Sequence, residues 1–189
     1  LAWHEETGPG NTSEVRFNRS LDGGNTWSSS VLLGPPGVGA MLPRIATADG
    51  AVYVVWRDTW LPGSDVWLNR SADQGATWLP APVRLNTGVS AGSTNASIPQ
   101  IAVEGSSVYV AWSDDRYGLA DIWFTRSRDG GVTWLRNEKR LSVGPPGLDT
   151  NPRIAASGSS VYAIWSHRVP TVPDIHFNVS QDCLLYTSD

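Results

Sequence analysis

The feature that most constrains this chain is an octet, Ser127-Arg128-Asp129-Gly130-Gly131-Val132-Thr133-Trp134, that reads as one tight reversal between two strands. Asp129 carries a carboxylate short enough to accept N–H bonds from its own turn, and Gly131 supplies the positive φ that such a reversal needs. Thr133 suits a pleated strand, and the Trp134 indole is large enough to anchor the hairpin against whatever packs on that face. The pattern Ser-x-Asp-x-Gly-x-Thr-Trp recurs at Ser20, Asp22, Gly24, Thr26 and Trp27, and again at Ser71, Asp73, Gly75, Thr77 and Trp78. A further copy starts at Ser180 and Asp182 and then breaks off, with Cys183-Leu184-Leu185-Tyr186 where the Gly and the Thr-Trp belong. A period of about 50 residues makes this a repeat protein.

Aligning the copies predicts four strands per repeat. The first strands are Pro43-Arg44-Ile45-Ala46, Pro99-Gln100-Ile101-Ala102 and Pro152-Arg153-Ile154-Ala155, each opened by a proline at a position where a strand tolerates one. The second are 52–56, 108–112 and 161–165, with Leu1-Ala2-Trp3 as a truncated counterpart; they are apolar on both faces, as in a sheet sandwiched between sheets. The third run over 14–18, 65–69, 121–125 and 174–178, and the fourth over 78–85 and 134–141. Four antiparallel strands per repeat describe the blade of a β-propeller, so the expected fold is all-β, with about three and a half blades at roughly 1–40, 41–96, 97–149 and 150–182. Residues 183–189 depart from the repeat and are expected to be a non-native tail.

The octet resembles the Asp box, or BNR repeat, of the sialidase superfamily, whose members are β-propellers. The resemblance covers essentially the whole chain to Asp182 and implies a fragment of a glycan-acting or glycan-binding propeller, extracellular or on the cell surface, completed by further blades. Asp boxes are also similar to those of sortilin-type receptors and xyloglucanases, so the alternative is a non-catalytic repetitive propeller for protein or ligand contact.

Composition narrows the class. A chain of 189 residues with 40% hydrophobic and 17% charged residues is a folded one. Ten Trp, 19 Gly and 13 Pro fit many short strands broken by turns. A net charge of −4 leaves no basic footprint for nucleic acid, and no apolar run reaches membrane-spanning length. One cysteine, Cys183, cannot form an internal disulfide. Neither a cofactor nor a metal is expected: His4, His167 and His176 have no ligand spacing, and Asp114-Asp115 reads as a solvated loop before it reads as a calcium site. The Asn-x-Ser/Thr triplets at Asn11, Asn18, Asn69, Asn95 and Asn178 are largely the repeat's own third strand entering the octet.

If the octets join strands three and four at one rim, the loops between strands two and three lie on the opposite rim, where binding residues on a fixed scaffold gather. The ligand-binding candidates there are Glu5, Arg57, Asp58, Asp114, Asp115, Arg116, Tyr117 and His167. The resemblance implies a retaining glycosidase with a tyrosine nucleophile assisted by a glutamate, an aspartate acid/base and three arginines on the sugar carboxylate. Arg44 and Arg153 open first strands on that rim, as the Arg-Ile of the sialidase motif does, although Ala follows the Ile in place of the family's Pro and Gln100 interrupts the arginine series. Asp58 and Asp114 are the acid/base candidates, and Tyr117 is the tyrosine that neither the strand repeat nor the tail explains. All of these also have a plainer reading as residues that the repeat places in equivalent loops.

Overall fold

The structure, a computed structural model, describes residues 1–8, 12–36, 39–59, 62–169 and 173–180. Asn11, Trp60, Leu61, Pro170, Asp182 and the 183–189 tail lie outside the described residues. Among the described residues there is no helix, and the strands form four antiparallel sheets, each a meander in chain order. The first sheet holds β1 (Ala2–Gly8), β2 (Thr12–Phe17) and β3 (Val31–Leu32). The second holds β4 (Ala40–Ala48), β5 (Ala51–Asp58), β6 (Val66–Ser71) and β7 (Val83–Arg84). The third holds β8 (Ser97–Glu104), β9 (Ser107–Asp114), β10 (Asp121–Ser127) and β11 (Lys139–Arg140), and the fourth β12 (Leu148–Ser157), β13 (Ser160–Arg168) and β14 (Pro173–Ser180). These are the blades of a β-propeller.

Alternation along the second strands explains why they are apolar throughout. On β5, Val52, Val54 and Trp56 pack back against Val15, Phe17 and Leu33 of the first sheet, while Tyr53 and Val55 pack forward against Val108, Val110 and Trp112 of the third. On β9 the parity repeats, with Tyr109 and Ala111 facing Val161, Ala163 and Trp165 of β13. The core is thus three slabs between four sheets, and each fully buried Val, Leu or Ile contributes about 1.5–3 kcal/mol.

Two expectations change in detail. The prolines do not open the first strands: Pro43, Pro99 and Pro152 lie inside β4, β8 and β12, where the pairing register slips between Met41 and Arg44, Ser97 and Gln100, and Thr150 and Arg153. A bulge leaves one residue out of the ladder, so the missing proline N–H costs no hydrogen bond. The residue ahead of each proline, Leu42, Ile98 and Asn151, has a positive φ of 54°, 52° and 55°. The fourth strands shrink to the two-residue pairs of β3, β7 and β11, because the chain after each octet tryptophan is irregular before it rejoins its sheet.

Candidate functional site

The octets occupy the rim between third and fourth strands, so the ends of β5, β9 and β13 reach the opposite rim. At that end each second-strand tryptophan pairs across to a fixed register position on the third strand: Trp3 with Arg16, Trp56 with Trp67, Trp112 with Trp123, and Trp165 with His176. Two residues beyond each of these tryptophans stand Glu5, Asp58, Asp114 and His167. One position therefore carries four chemistries. Glu5 accepts a salt bridge from Arg16 Nε at 2.8 Å. Asp58 is buried and accepts the Trp67 indole N–H at 2.7 Å and the Asp65 amide at 2.6 Å. Both carboxylates thus hold the loop that follows.

Asp114 sits in a larger network. Its Oδ2 accepts Arg116 Nη2 at 2.7 Å, and its Oδ1 accepts the Arg116 amide at 3.0 Å. Arg116 Nη1 donates to Glu138 at 2.9 Å, and the guanidinium lies 3.8 Å above the Trp123 ring. Glu138 also accepts the Gly88 amide at 2.8 Å and the Thr87 hydroxyl at 3.1 Å, which ties the link between sheets two and three to sheet three. A side chain at Gly88 would meet Glu138 Oε2 at 2.5 Å, so that position has no room for one. Burial works to lower the Arg116 pKa, but the hydrogen bonds from Asp114 and Glu138 outweigh it and raise it. With only 4% of its side chain exposed, Arg116 presents its cation to protein groups and stacks the loop in place. Asp115 next to it accepts the Asn95 amide and Nδ2 at 2.8 and 2.7 Å. Tyr117 is different: it is 72% exposed, with its ring 5.7 Å from Trp123.

The fourth sheet departs furthest from the repeat. His167 and His176 stack at 4.4 Å between ring centres, where the other sheets pair an acid with an indole or a guanidinium. Asp149 Oδ1 lies 2.9 Å from His167 Nδ1 and accepts the Trp165 indole N–H at 2.9 Å. A carboxylate only accepts, so Nδ1 carries the hydrogen. Asp149 stands three residues before Pro152, where Ala40 and Ala96 stand before Pro43 and Pro99. That departure was visible in the aligned copies and is the signal that finds Asp149; Glu138 has no such signal.

Arg44 and Arg153, on the innermost strands, each donate from Nη1 to the carbonyl of the preceding proline, at 3.0 and 2.9 Å. Between them in the series, Gln100 is buried and its Nε2 has no partner among the described residues. Arg57 is half-buried, with its Nε unpaired among the described residues.

Two clefts of about 490 and 300 Å³ share Leu119, Pro146 and Gly147 and form one groove over the junction of sheets three and four. Tyr117, Asp121 and Arg140 line one end, and Leu148, Arg168 and Val169 the other. Of the sequence candidates only Tyr117 lines it; Arg44 and Arg153 do not. Asp121 is held by Arg140 Nη2 at 2.6 Å and the Ser142 hydroxyl at 3.1 Å. Gly147 packs so closely on His167 that a Cβ there would lie 2.3 Å from the ring, which puts the imidazole directly behind the groove wall. A larger cleft of about 890 Å³, bordered by Leu21, Trp27, Ile45 and Asp49, lies at the octet rim between sheets one and two. Among the described residues no group of three or more acidic, histidine or cysteine side chains is placed to hold a metal ion.

No protein-family profile and no curated protein sequence matches the chain. Solved structures do. The chain is similar to the GH93 α-L-arabinofuranosidase of Fusarium graminearum in complex with arabinobiose, with a TM-score of 0.66 at 15% identity over 96% of this chain and 58% of that one. It is similar to the α-L-arabinanase of Penicillium chrysogenum complexed with arabinobiose, with a TM-score of 0.58 at 13% identity over 88% of this chain and 55% of that one. The GH43 endo-arabinanase of Bacillus licheniformis follows at 0.52 and 14%, over 95% and 71%. The fold thus belongs with the propellers of glycoside hydrolases. None of these three is a sialidase, and at such identities the likeness carries the fold alone. The chain spans about 58% of the length of the arabinofuranosidase it matches.

Proposed function

We propose that this protein is a glycan-recognising propeller of the sialidase-like kind, working outside the cell or at its surface together with further blades, and that the groove between sheets three and four is its sugar site. The observation that supports this reading is the groove's position and lining. It lies on the loop-rich rim, at the junction where Asp149, His167 and His176 break the repeat, and it offers an exposed Tyr117 ring beside the guanidiniums of Arg140 and Arg168. An aromatic face against sugar C–H groups, with fork-shaped donors for hydroxyl or carboxylate oxygens, is the chemistry by which a carbohydrate is held. The arabinobiose in two of the similar structures is a ligand of that class.

Binding is favoured over turnover. Asp58 and Asp114 both accept short hydrogen bonds from neighbouring protein groups, so neither is poised as a free acid or base. The expected outcome is no hydrolysis of a fluorogenic sialoside or arabinoside above a no-protein control. A glycan array probed with the wild type and with Tyr117→Ala tests the site directly, with retention falling roughly tenfold in the variant. An array on which no sugar is retained would favour the second reading, a repetitive propeller for protein contact, which the recurrence of the acid at the end of each second strand supports. Turnover abolished by Tyr117→Phe would instead establish an enzyme.

A further inference from the structure

The first and fourth sheets each have a face that no other sheet covers among the described residues, and the two faces are opposite in character. On the first sheet the outward residues in register are Trp3 and Glu5 of β1 with Glu14 and Arg16 of β2. Arg16 bridges the two carboxylates at 2.8 and 2.9 Å, so this face is sealed by an ion-paired layer with one negative charge left over. On the fourth sheet the outward residues are Tyr162 and Ile164 of β13, paired with Val179 and Phe177 of β14, and Ile175 beside them. Ile175 is 72% and Phe177 61% exposed. At the equivalent places in sheets two and three stand Tyr53, Val55, Val66 and Leu68, and Tyr109, Ala111, Ile122 and Phe124, all buried beneath the next sheet.

We propose that this apolar face is a self-association surface, and that its occupant is the same face of a second copy of the chain, related by a twofold axis. A contiguous exposed apolar patch on a folded chain marks a contact surface. Charge decides which surface of a second copy can cover it. Head-to-tail stacking would press Glu5, Glu14 and Arg16 onto Ile164 and Phe177, removing ionised groups from water with no new partner. Face-to-face stacking buries apolar groups on both sides, and being isologous it closes at two copies. Three strands about 4.8 Å apart and about 25 Å long give a footprint of roughly 350 Å² per copy. That is at the low end for a specific interface, so the dimer is weak and concentration-dependent.

Sedimentation velocity of the full chain across the micromolar range is the test. A monomer–dimer equilibrium is expected, with the dissociation constant raised roughly tenfold or more by Phe177→Lys. Ile175→Lys should act likewise, and Glu5→Gln at the other end should leave the equilibrium unchanged. Both lysine substitutions are at exposed positions, so their melting temperatures should match the wild type and confirm that the variants are folded. A monomer at every concentration, a dimer indifferent to both lysines, or oligomers that keep growing beyond two copies would each overturn the proposal.

Discussion

The first octet and the second are the same turn in two settings. In the first, Ser20 donates to Asp22 at 2.6 Å, Asp22 accepts the Thr26 amide and hydroxyl at 2.9 and 2.6 Å, and Ser20 accepts the Gly24 amide at 2.7 Å. In the second, the corresponding distances around Ser71, Asp73, Gly75 and Thr77 are 2.7, 2.8, 2.6 and 2.8 Å. What differs lies outside the turn. Trp78 meets Phe17 of the preceding sheet edge-on at 4.8 Å, and a Cβ on Gly75 would stand 2.6 Å from that same ring. Trp27 has no preceding sheet among the described residues, is 51% exposed and returns its indole N–H to Gly24 at 3.1 Å, while the space around Gly24 is open. The third octet resembles the second, with Gly131 against Arg70 and Tyr53 of sheet two. The turn is therefore locally self-sufficient, and joining one blade to the one before it is a second use of the same residues.

The contrast can be broken most forcefully at the glycines. Gly24 and Gly75 both have positive φ, so alanine strains the backbone at either by about 1–2 kcal/mol. At Gly75 the clash with Phe17 adds to it, and the total loss there should be roughly 2–5 kcal/mol by urea denaturation. Equal losses at the two positions would show that the contact with the preceding blade is idle. Next comes the indole. Trp78→Ala should cost about 2–3 kcal/mol, and Trp27→Ala under about 0.5 kcal/mol, because only the first removes an inter-sheet contact.

Acid offers a probe that should treat the octets alike. The serine hydroxyl, then the threonine hydroxyl and amide, hold the carboxyls of Asp22, Asp73 and Asp129 well below the usual carboxylate range. A depressed carboxyl stabilises the fold in full above its unfolded value, near about pH 4, and that stability is lost as pH falls toward the folded value. Asparagine at each position should flatten the acid limb of the stability curve and leave the slope near neutrality unchanged. A larger effect for Asp73 than for Asp22 would mean that the packing behind the turn also strengthens its hydrogen bonds. The smallest effect is expected at Gln74, whose φ of 59° stands where the other two octets have Gly23 and Gly130. Gln74→Gly should stabilise by about 0.5 kcal/mol, as relieved strain exceeds the added freedom of the unfolded chain.

Much of this architecture was legible in the residues. The octets gave the hairpins, and the doubly apolar runs 52–56, 108–112 and 161–165 gave strands covered on both sides, because period-two alternation with both parities filled has no other comfortable home. The rim assignment follows from strand alternation alone. The site was less legible. Asp114, Asp115 and Arg116 stood out as a charged loop, yet Arg116 is buried because Glu138, twenty-two residues away, completes its ion pair, and no local pattern announces such a partner. Tyr117 was singled out because no repeat explains it, and it lies in the groove; Asp149 and the stacked histidines required comparing the copies for departures and not for likeness. The bulges escaped notice because a proline at a strand start and one inside a slipped register look identical in sequence.

Those bulges have a consequence for how such a molecule can change. Leu42, Ile98 and Asn151 occupy the same left-handed kink at the same height on three innermost strands, one of them β-branched, although the conformation costs each about 1–2 kcal/mol. An aliphatic chain, a branched one and an amide are thus interchangeable as backbone while differing as chemistry. The aperture where the inner strands converge has its width set by the kink and its lining set by the residue, so the lining can be rewritten without remaking the frame.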